Sequence, residues 1–241
     1  MDLFNFIECA KATHSIKVLF DLLVSCASEK GFSEVAYGAL TFAEACGLPE
    51  YLPSGVTVTF PPDWCGRYVE RKYRVIDPVV RRAPTLSRPF LWDQLAKKCQ
   101  LQPSEQRVLA EAKEAGLKHG MSVPLYGPLG QVALASFASP FDDADPQCQM
   151  SHLNVLAWHF HIALAEISRP SASASNCEVA LSEREKDCLR WVGEGKSSWE
   201  IGKILEVSEN TVNFHLKNAI RKLGTSNRTH GIAKAIRQNL I

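Results

Sequence analysis

Residues 197–224 read SSWEIGKILEVSENTVNFHLKNAIRKLG, and this stretch decides the fold of the C-terminal part of the chain. Its first segment, 198–205, is short and apolar at helical spacing, and Glu206-Val207 end that pattern. Ser208 is placed to cap a longer second segment that Gly224 terminates. Four apolar residues of the second segment recur three to four apart on one face: Val212, Leu216, Ile220 and Leu223. The stretch therefore predicts a short helix, a tight turn and a longer amphipathic helix.

Two more helical patterns flank this pair. Ser182 and Glu185 have the spacing of a capping box for a helix over 183–192, and Ser226-Asn227 begin a last helix that runs to Gln238. Together the four segments predict an all-α four-helix domain. A short helix, a tight turn and a longer helix form the helix-turn-helix arrangement, in which the longer helix enters the major groove of DNA.

Charge is distributed unevenly along the chain. The 241 residues carry 27 Lys+Arg and 26 Asp+Glu, whereas residues 181–241 hold 11 basic and 7 acidic residues. Between 210 and 241 there are six basic residues and no carboxylate side chain. A short basic module on an acidic body indicates a polyanionic partner that is bound by only part of the molecule.

A small polar stretch divides the chain. Residues 169–176 read RPSASASN, a composition that cannot bury an apolar core and is typical of linkers. We therefore predict an N-terminal domain over 1–168, a linker over 169–176 and a C-terminal domain over 177–241.

The N-terminal domain combines helical and strand patterns. Helical spacing predicts helices over 3–12, 15–29, 104–115 and 147–167, and one that starts at Pro61-Pro62 and places Trp64 and Tyr68 on one face. Strand patterns cover 35–42, 122–126 and 131–139, with extended chain over 89–92, and a turn at 127–130 joins the last two strands as a hairpin. Strands in the middle of the domain with helices before and after them favour an α+β fold, an α-β-α sandwich around an antiparallel sheet.

Composition excludes several classes of protein. Hydrophobic residues make up 46% of the chain and charged residues 22%, as in globular domains and unlike disordered chains. No apolar run approaches the roughly 20 residues of a membrane span, and the N-terminus lacks the basic start of a signal peptide, so we expect a cytoplasmic protein. The eight cysteines are scattered without a C-x-x-C pair, which favours free thiols over a metal site.

These residues resemble a known family. The C-terminal part resembles the LuxR-type helix-turn-helix in LSERE at 181–185, GKS at 195–197, EI at 200–201, VS at 207–208, TVNFH at 211–215, KLG at 222–224 and NR at 227–228. The N-terminal part resembles the autoinducer-binding domain of LuxR-type acyl-homoserine-lactone receptors in Trp64, Tyr68, Asp77-Pro78, PFLWD at 89–93 and the pair Gly120 and Pro124. The resemblance spans nearly the whole chain.

The resemblance implies a pocket for an N-acyl homoserine lactone. The head group of this ligand has one amide N–H and several carbonyls, and burying one of them unpaired costs roughly 1 to 3 kcal/mol. By resemblance, Trp64, whose indole N–H only donates, binds the lactone carbonyl, and Asp77, whose carboxylate accepts, binds the amide N–H. Tyr68 and Trp92 are implied as aromatic walls, and Ser136 as a contact of the acyl carbonyl, directly or through water.

Phe60 departs from the family pattern. The family often has at this position, four residues before the tryptophan, a tyrosine whose hydroxyl donates to the acyl carbonyl. That donor is absent here. Either Ser136 or a water molecule compensates, or the preferred acyl group is unusual, and we expect a branched or aromatic one.

The predicted DNA contacts lie mainly on the longer helix of the pair. We expect Asn213 and Lys217 to read base edges, since Asn can pair with adenine and Lys can reach guanine. Phosphate contacts are expected from five residues: Lys196, Ser197, Thr211, Lys222 and Arg228. Three further residues are expected near the DNA: Phe214, His215 and Arg221.

Such a helix reads few base pairs, so we expect a homodimer on a two-fold symmetric site in double-stranded DNA. The helix over 147–167 is one candidate dimer surface, and the last helix is another, with four apolar residues expected to be exposed: Ile232, Ala233, Ile236 and Leu240.

The expected function is a transcriptional regulator that is stabilised by a bound acyl-homoserine lactone and contacts RNA polymerase if it activates. No cofactor, metal or enzyme activity is expected. Three alternatives stay open at this point. They are a phosphorylation-driven response regulator, a regulator of the same type that senses a different small molecule, and an enzyme that uses Cys65 or Asp77 to hydrolyse the lactone.

Overall fold

The computed structural model describes residues 1–40, 56–127, 131–168, 180–237 and 240–241. Contacts divide them into two compact units, one before and one after the predicted linker. The linker itself, 169–176, lies outside the described residues, and the exact domain boundaries stay a prediction. No described helix is long and apolar enough to cross a membrane.

The first unit is built on an antiparallel sheet. Its five described strands have the order β2-β1-β5-β4-β3. Their bounds are β1 Glu34–Ala39, β2 Val56–Val58, β3 Phe90–Leu91, β4 His119–Tyr126 and β5 Val132–Ser139. The hairpin β4–β5 was predicted, and its register pairs Tyr126 with Val132 and His119 with Ser139.

Seven α-helices accompany this sheet in the described residues. They are α1 Leu3–Ala12, α2 Ile16–Ser28, α3 Pro62–Glu70, α4 Pro78–Arg82, α5 Trp92–Lys98, α6 Pro103–Glu114 and α7 Pro146–Ile167. The sequence explains where several of these helices begin. The Ser15 side chain accepts a hydrogen bond from the Val18 N–H at the start of α2. A proline occupies the first turn of α3, α4, α6 and α7.

The two faces of the sheet carry different cores. Met121 and Phe137 point to one face and pack with Phe6, Leu19 and Phe160 from α1, α2 and α7. The opposite face carries Ala138 and Leu134, which pack against clusters formed by α3 to α6. Because both faces are covered, every residue of β5 is buried. The predicted α-β-α sandwich is confirmed.

Three short elements were not predicted, namely β2, α4 and α5. Each has three to seven residues, too few for a periodicity to show. The chain expected to be extended over 89–92 is a strand only at Phe90–Leu91, and Trp92 already opens α5. Strand β1 ends at Ala39, and the last two residues predicted for it, 41–42, lie outside the described residues.

The second unit is helical, with α8 Glu183–Gly193, α9 Ser198–Leu205, α10 Glu209–Lys222 and α11 Arg228–Arg237. Capping boxes start α8 at Ser182 and α9 at Ser197, and the Ser208 side chain accepts a hydrogen bond from the backbone of Thr211. Between α9 and α10, Glu206 adopts a left-handed conformation with φ 55°. The predicted helix-turn-helix is confirmed.

One prediction for α11 was partly wrong. Ile232 and Leu240 pack against the core of this unit and are only partly exposed. Ala233 and Ile236 are exposed as expected. The helix belongs to the domain core, because its Ala235 is fully buried in the same cluster as Leu189 and Leu216.

Candidate ligand site and DNA-binding surface

Three aromatic rings form a cluster beside the sheet. The four-residue spacing on α3 brings Trp64 and Tyr68 to one face, and their ring centroids are 5.7 Å apart. Tyr73, in a 3₁₀ turn after α3, completes the cluster at 5.9 Å from Trp64 and 6.0 Å from Tyr68. Trp64 and Tyr73 are each 4% exposed. Aromatic pairs at these distances stabilise the fold beyond the contribution of their buried area, and they hold the Trp64 indole in a fixed position.

Asp77 is a buried carboxyl group at the start of α4. Its Oδ1 accepts a hydrogen bond of 2.8 Å from the Val79 N–H, and its Oδ2 accepts one of 2.7 Å from the Tyr68 hydroxyl. The residue is 8% exposed. Burial raises the pKa of Asp77, while the hydrogen bonds from Tyr68 and the α4 backbone act in the opposite direction. The site therefore holds a carboxyl group with remaining acceptor capacity in a dry environment.

Tyr68 has a role beyond the predicted aromatic wall. Its hydroxyl donates to Asp77, and burial, together with the Asp77 charge, raises the pKa of Tyr68. The phenol is therefore fixed as a neutral donor, which orients the carboxyl group of Asp77.

A pair of serines lies on the same face of the sheet as Ala138. The register of β4 and β5 places Ser122 opposite Ser136, and their hydroxyl oxygens are 2.8 Å apart. The Trp92 Nε1–H donates to the Ser122 Oγ at 2.9 Å. Trp92 was predicted only as an aromatic wall, and the structure adds this polar contact.

Ser122 is a site residue that the sequence analysis missed. The predicted turn could not have revealed it. Residues equally far from a turn at 127–130 would pair Ser122 with Ala135, whereas the observed register pairs Tyr126 with Val132 and therefore Ser122 with Ser136. A shift of one residue in register decides which side chains share a face of the sheet.

Gly120 allows Trp92 to lie against the sheet. A Cβ atom at Gly120 would be 2.2 Å from Cε3 and 2.3 Å from Cδ2 of the Trp92 ring. Only glycine fits at this position of β4 while the indole stays in place.

The structure groups all six residues predicted to bind ligand. Phe60, Tyr68 and Trp92 pack against the cluster of Trp64 and Tyr73, Asp77 joins it through Tyr68, and Ser136 joins through Ser122 and Trp92. That this group binds a ligand stays a prediction.

A described cleft of about 370 Å³ lies elsewhere, lined by Leu91, Asp93, Gln94, Lys97, His119, Gly120, Ala144, Asp145, Pro146 and Gln147. Its lining includes Gly120, which lies against Trp92, but none of the six residues of the group, so this cleft is distinct from the predicted ligand pocket.

An ion-pair network supports the aromatic cluster. Glu111 on α6 accepts hydrogen bonds from the Tyr73 hydroxyl at 2.9 Å, from Arg71 at 2.7 Å and from Arg107 at 2.8 Å. Hydrogen bonding to Arg107 is the main cause that lowers the pKa of Glu111 to about 2, with Tyr73 and Arg71 contributing. This network fixes the phenol end of Tyr73, whose ring contacts Trp64.

Glu111→Gln is expected to lower the stability of the first unit at pH 7 and to flatten its pH dependence. The Glu111 pKa is lower in the folded state than in the unfolded state, so its stabilisation is complete above the unfolded value of about 4.3 and is lost as the pH falls towards 2. Urea unfolding at pH 7 and at pH 3 measures this. The difference between the two proteins should be smaller at pH 3. Glu114→Gln is the control, because Glu114 is exposed on the same helix. An equal difference at both pH values would contradict the prediction.

The predicted DNA-binding residues lie on and around α10. Asn213, Phe214 and Lys217 are exposed, with Phe214 62% exposed, and Thr211 and His215 are partly exposed. The rings of Phe214 and His215 are in contact, 5.7 Å apart. Arg221 donates to the Asn218 side chain at 3.3 Å.

Hydrogen bonds connect Asn213 to α9 and, through Ser198, to α11. The Ser198 hydroxyl donates to Asn213 Oδ1 at 2.7 Å, and Arg228 donates to Ser198 Oγ at 3.3 Å and to the Lys196 carbonyl at 3.2 Å. A bidentate contact of Asn213 with adenine would share its carbonyl oxygen with Ser198. Arg228, predicted as a phosphate contact, also connects α11 with the start of α9.

Two further predicted phosphate contacts have internal partners. The Ser197 hydroxyl donates to Glu200 at 2.7 Å within the capping box of α9. Lys222 donates to Glu185 at 2.8 Å and to the Ala180 carbonyl at 3.1 Å. Burial alone would raise the pKa of Glu185, but hydrogen bonds from Lys222 and Ser182 outweigh it and leave the pKa lowered. Lys196 and Lys217 form no side-chain hydrogen bond or ion pair with the described residues.

Comparisons with known proteins agree with this architecture. Residues 15–164 match the family described as "Autoinducer binding domain", and residues 179–235 match "Bacterial regulatory proteins, luxR family". The chain is 39% identical over 225 residues to the putative HTH-type transcriptional regulator y4qH of Sinorhizobium fredii, covering 93% of this chain and 68% of that protein. It is 34% identical to the HTH-type quorum sensing-dependent transcriptional regulator RpaR of Rhodopseudomonas palustris, covering 100% of this chain and 94% of RpaR.

A solved structure shares the fold. The crystal structure of SdiA from Escherichia coli matches with a TM-score of 0.68 at 23% identity, covering 100% of this chain and 99% of SdiA. The family matches cover the sheet domain and the helix-turn-helix domain in turn, in the order that the sequence resemblance implied. The chain belongs to the LuxR family of bacterial transcriptional regulators with an N-terminal autoinducer-binding domain.

Proposed function

We propose that this regulator binds an N-acyl homoserine lactone in the first unit, at the group formed by Trp64, Asp77 and Ser136. The observation that supports this proposal is a free donor on the largely buried Trp64 side chain beside the buried acceptor Asp77. The Trp64 indole N–H makes no hydrogen bond with any described residue, and Asp77 keeps acceptor capacity a short distance away across Tyr68. A head group with one carbonyl acceptor and one amide donor matches this pair.

The proposed pairing follows the chemistry of each group. Trp64 donates to the lactone carbonyl, Asp77 accepts from the amide N–H, and Ser136 donates to the acyl carbonyl. The acyl chain is then directed into an apolar and aromatic environment, which gains about 25 cal/mol for each Å² of apolar surface removed from water. Ligand bound in this way stabilises the folded first unit by mass action.

The acyl group is proposed to be branched or aromatic. Phe60, which packs against the aromatic cluster, supports this because it replaces a hydroxyl donor with an apolar ring edge. A broad, flat acyl group would gain from ring contacts that a straight chain cannot form.

On the DNA side, we propose a cytoplasmic homodimer that binds a two-fold symmetric promoter site, with α10 in the major groove. RNA polymerase is the further partner if the regulator activates. Lys217 is exposed and forms no ion pair or hydrogen bond with the described residues, which supports a direct DNA contact, whereas Lys222 and Arg228 are held by internal hydrogen bonds.

The ligand proposal is tested by mass spectrometry of organic extracts from the purified chain, expressed with a panel of straight, branched and aromatic acyl-homoserine lactones. We expect one lactone to be enriched, and Asp77→Asn and Trp64→Phe to reduce its retention at least tenfold, since each removes one head-group partner. Asp93→Asn and Trp158→Phe are the matched controls. Folded protein that enriches no lactone would contradict the proposal and favour a different small molecule.

Substitutions of two lysines on α10 are expected to have different effects, one on the stability of the second unit and the other on DNA binding. Lys222→Met should destabilise the second unit by about 2 kcal/mol, because it removes the cationic partner of the buried Glu185. This value is smaller than that of a fully buried ion pair, because the Lys222 side chain is partly exposed to water. Lys217→Met should leave stability unchanged and weaken binding to a selected DNA site about tenfold. Hydrogen exchange of α8 and α10 and fluorescence anisotropy with labelled duplexes measure the two effects. Loss of stability in Lys217→Met, or none in Lys222→Met, would contradict this assignment.

A further inference from the structure

The partly buried Trp92 and two buried serines form a continuous hydrogen-bonded chain across the sheet. It runs from the Trp92 Nε1–H to Ser122 Oγ at 2.9 Å and on to Ser136 Oγ at 2.8 Å. Ser122 is 0% exposed and Ser136 is 7% exposed. The chain starts at the edge strand side, where Trp92 follows β3, and ends on β5, two residues before Ala138 of the aromatic cluster.

The direction of this chain follows from counting hydrogens. An indole N–H can only donate, so Ser122 accepts from Trp92. If Ser136 also donated to Ser122, the Ser122 hydrogen would have no acceptor among the described residues, in a fully buried position. An unsatisfied buried donor is costly, so Ser122 donates to Ser136.

One hydrogen then remains, that of the Ser136 hydroxyl. Ser136 forms no other side-chain hydrogen bond with the described residues, and it is the less buried of the two serines. Its hydroxyl accepts from Ser122 and is therefore polarised as a donor, since hydrogen bonds in a chain strengthen one another.

We propose that Trp92 and Ser122 are positioning residues that fix the Ser136 hydroxyl as a one-way donor to the acyl carbonyl of the bound lactone. This inference rests on the proposed function. It assigns to the Trp92–Ser122–Ser136 chain the task that a tyrosine hydroxyl would perform at position 60, where this protein has Phe60. The donor thus comes from the sheet and not from the segment before α3.

The experiment is a competition between two ligands that differ at one atom. The full chain is expressed with an equimolar mixture of cinnamoyl-homoserine lactone, whose acyl group is aromatic, and its thioamide analogue, in which sulfur replaces the acyl oxygen and accepts hydrogen bonds poorly. The ratio of the two ligands retained by purified protein is measured by mass spectrometry. Because both ligands bind the same folded molecules, this ratio is independent of how much of a variant folds.

The variants remove one member of the chain at a time. Ser136→Ala is expected to reduce the preference for the oxygen ligand about five- to tenfold, and Ser122→Ala and Trp92→Phe about threefold each, because Ser136 stays but loses its orientation. Ser122→Ala combined with Ser136→Ala should equal Ser136→Ala alone. Trp92→Phe removes the indole N–H but keeps an aromatic ring, and Trp92 lies outside the two strands that carry the serines. This variant therefore tests the hydrogen-bonded chain without changing the packing at Ser122.

Two matched controls should keep the ratio of the original protein. Ser139→Ala changes a serine of the same strand. The Ser139 hydroxyl accepts a hydrogen bond from the Phe141 N–H and does not belong to the Trp92–Ser122–Ser136 chain. Trp158→Phe changes a tryptophan on α7 that packs against the other core.

The outcomes separate this inference from the function it rests on. If Ser136→Ala lowers the ratio while Ser122→Ala and Trp92→Phe keep it, Ser136 binds without orientation and the inference is overturned. An unchanged ratio in all three variants overturns it as well. If the original protein retains no acyl-homoserine lactone of the panel but retains a molecule of another class, the proposed lactone function fails and the inference fails with it.

Discussion

Gly120→Ala is expected to lower the free energy of unfolding of the first unit by about 3 kcal/mol. The new Cβ atom would lie 2.2 Å from the Trp92 ring, well inside contact distance. The indole is not the free end of a flexible side chain, because its Nε1–H is bonded to Ser122 at 2.9 Å. The substitution therefore expels Trp92, which costs both its packing and this hydrogen bond.

Urea unfolding of the full chain with and without ligand measures this effect. Gly66→Ala is the matched control. Gly66 is exposed within α3, a Cβ atom there would meet nothing within 4 Å, and alanine in a helix interior is favoured by up to about 1 kcal/mol. The two substitutions should change stability in opposite directions. A loss in Gly120→Ala no larger than a few tenths of a kcal/mol would show that Trp92 can move aside without cost.

Gly202→Ala is expected to destabilise the helix-turn-helix by about 2 kcal/mol and to weaken DNA binding at least tenfold. A Cβ atom at Gly202 would lie 2.8 Å from the Val207 carbonyl oxygen and 3.4 Å from the Glu209 nitrogen. Both neighbours are backbone atoms at the entrance to α10, so the clash is relieved only if α10 moves away from α9. The gain in helix propensity, about 1 kcal/mol, is smaller than this cost.

Hydrogen exchange of α9 and α10, together with anisotropy on a labelled duplex, tests the prediction. Gly193→Ala provides the comparison, because a Cβ atom at Gly193 has its nearest neighbour, Ile232 Cγ2, at 3.9 Å, an ordinary contact. That variant should keep native stability and DNA binding. Native exchange rates in Gly202→Ala would refute the tight approach of the two helices.

The long elements were predictable from sequence because their signals are local. The capping serines Ser15, Ser182 and Ser208 start helices where they were expected, and the hairpin β4–β5 was predicted from its two strand patterns and the turn between them. The short elements β2, α4 and α5 carry no periodicity and form through tertiary contacts. Repeating patterns of apolar residues therefore do not predict these three elements.

The site was predictable as a set of residues but not as a set of bonds. The family resemblance selected Trp64, Asp77 and Trp92, and the structure places them in one group. It did not show that Tyr68 donates to Asp77 or that Ser122 accepts from Trp92. These contacts depend on side-chain geometry, which spacing along the chain does not specify.

The connection of Asn213 to Ser198 and Arg228 constrains how the DNA preference of this protein can evolve. If Asn213 reads a base, as the sequence predicts, its substitution would alter base recognition and would also remove the acceptor of the Ser198 hydroxyl, whose oxygen accepts from Arg228. Such a change is therefore tolerated only when positions on α9 or α11 change with it. Lys217 forms no such hydrogen bonds with the described residues, so, if it contacts DNA as proposed, a substitution there can change the DNA preference without a second change elsewhere.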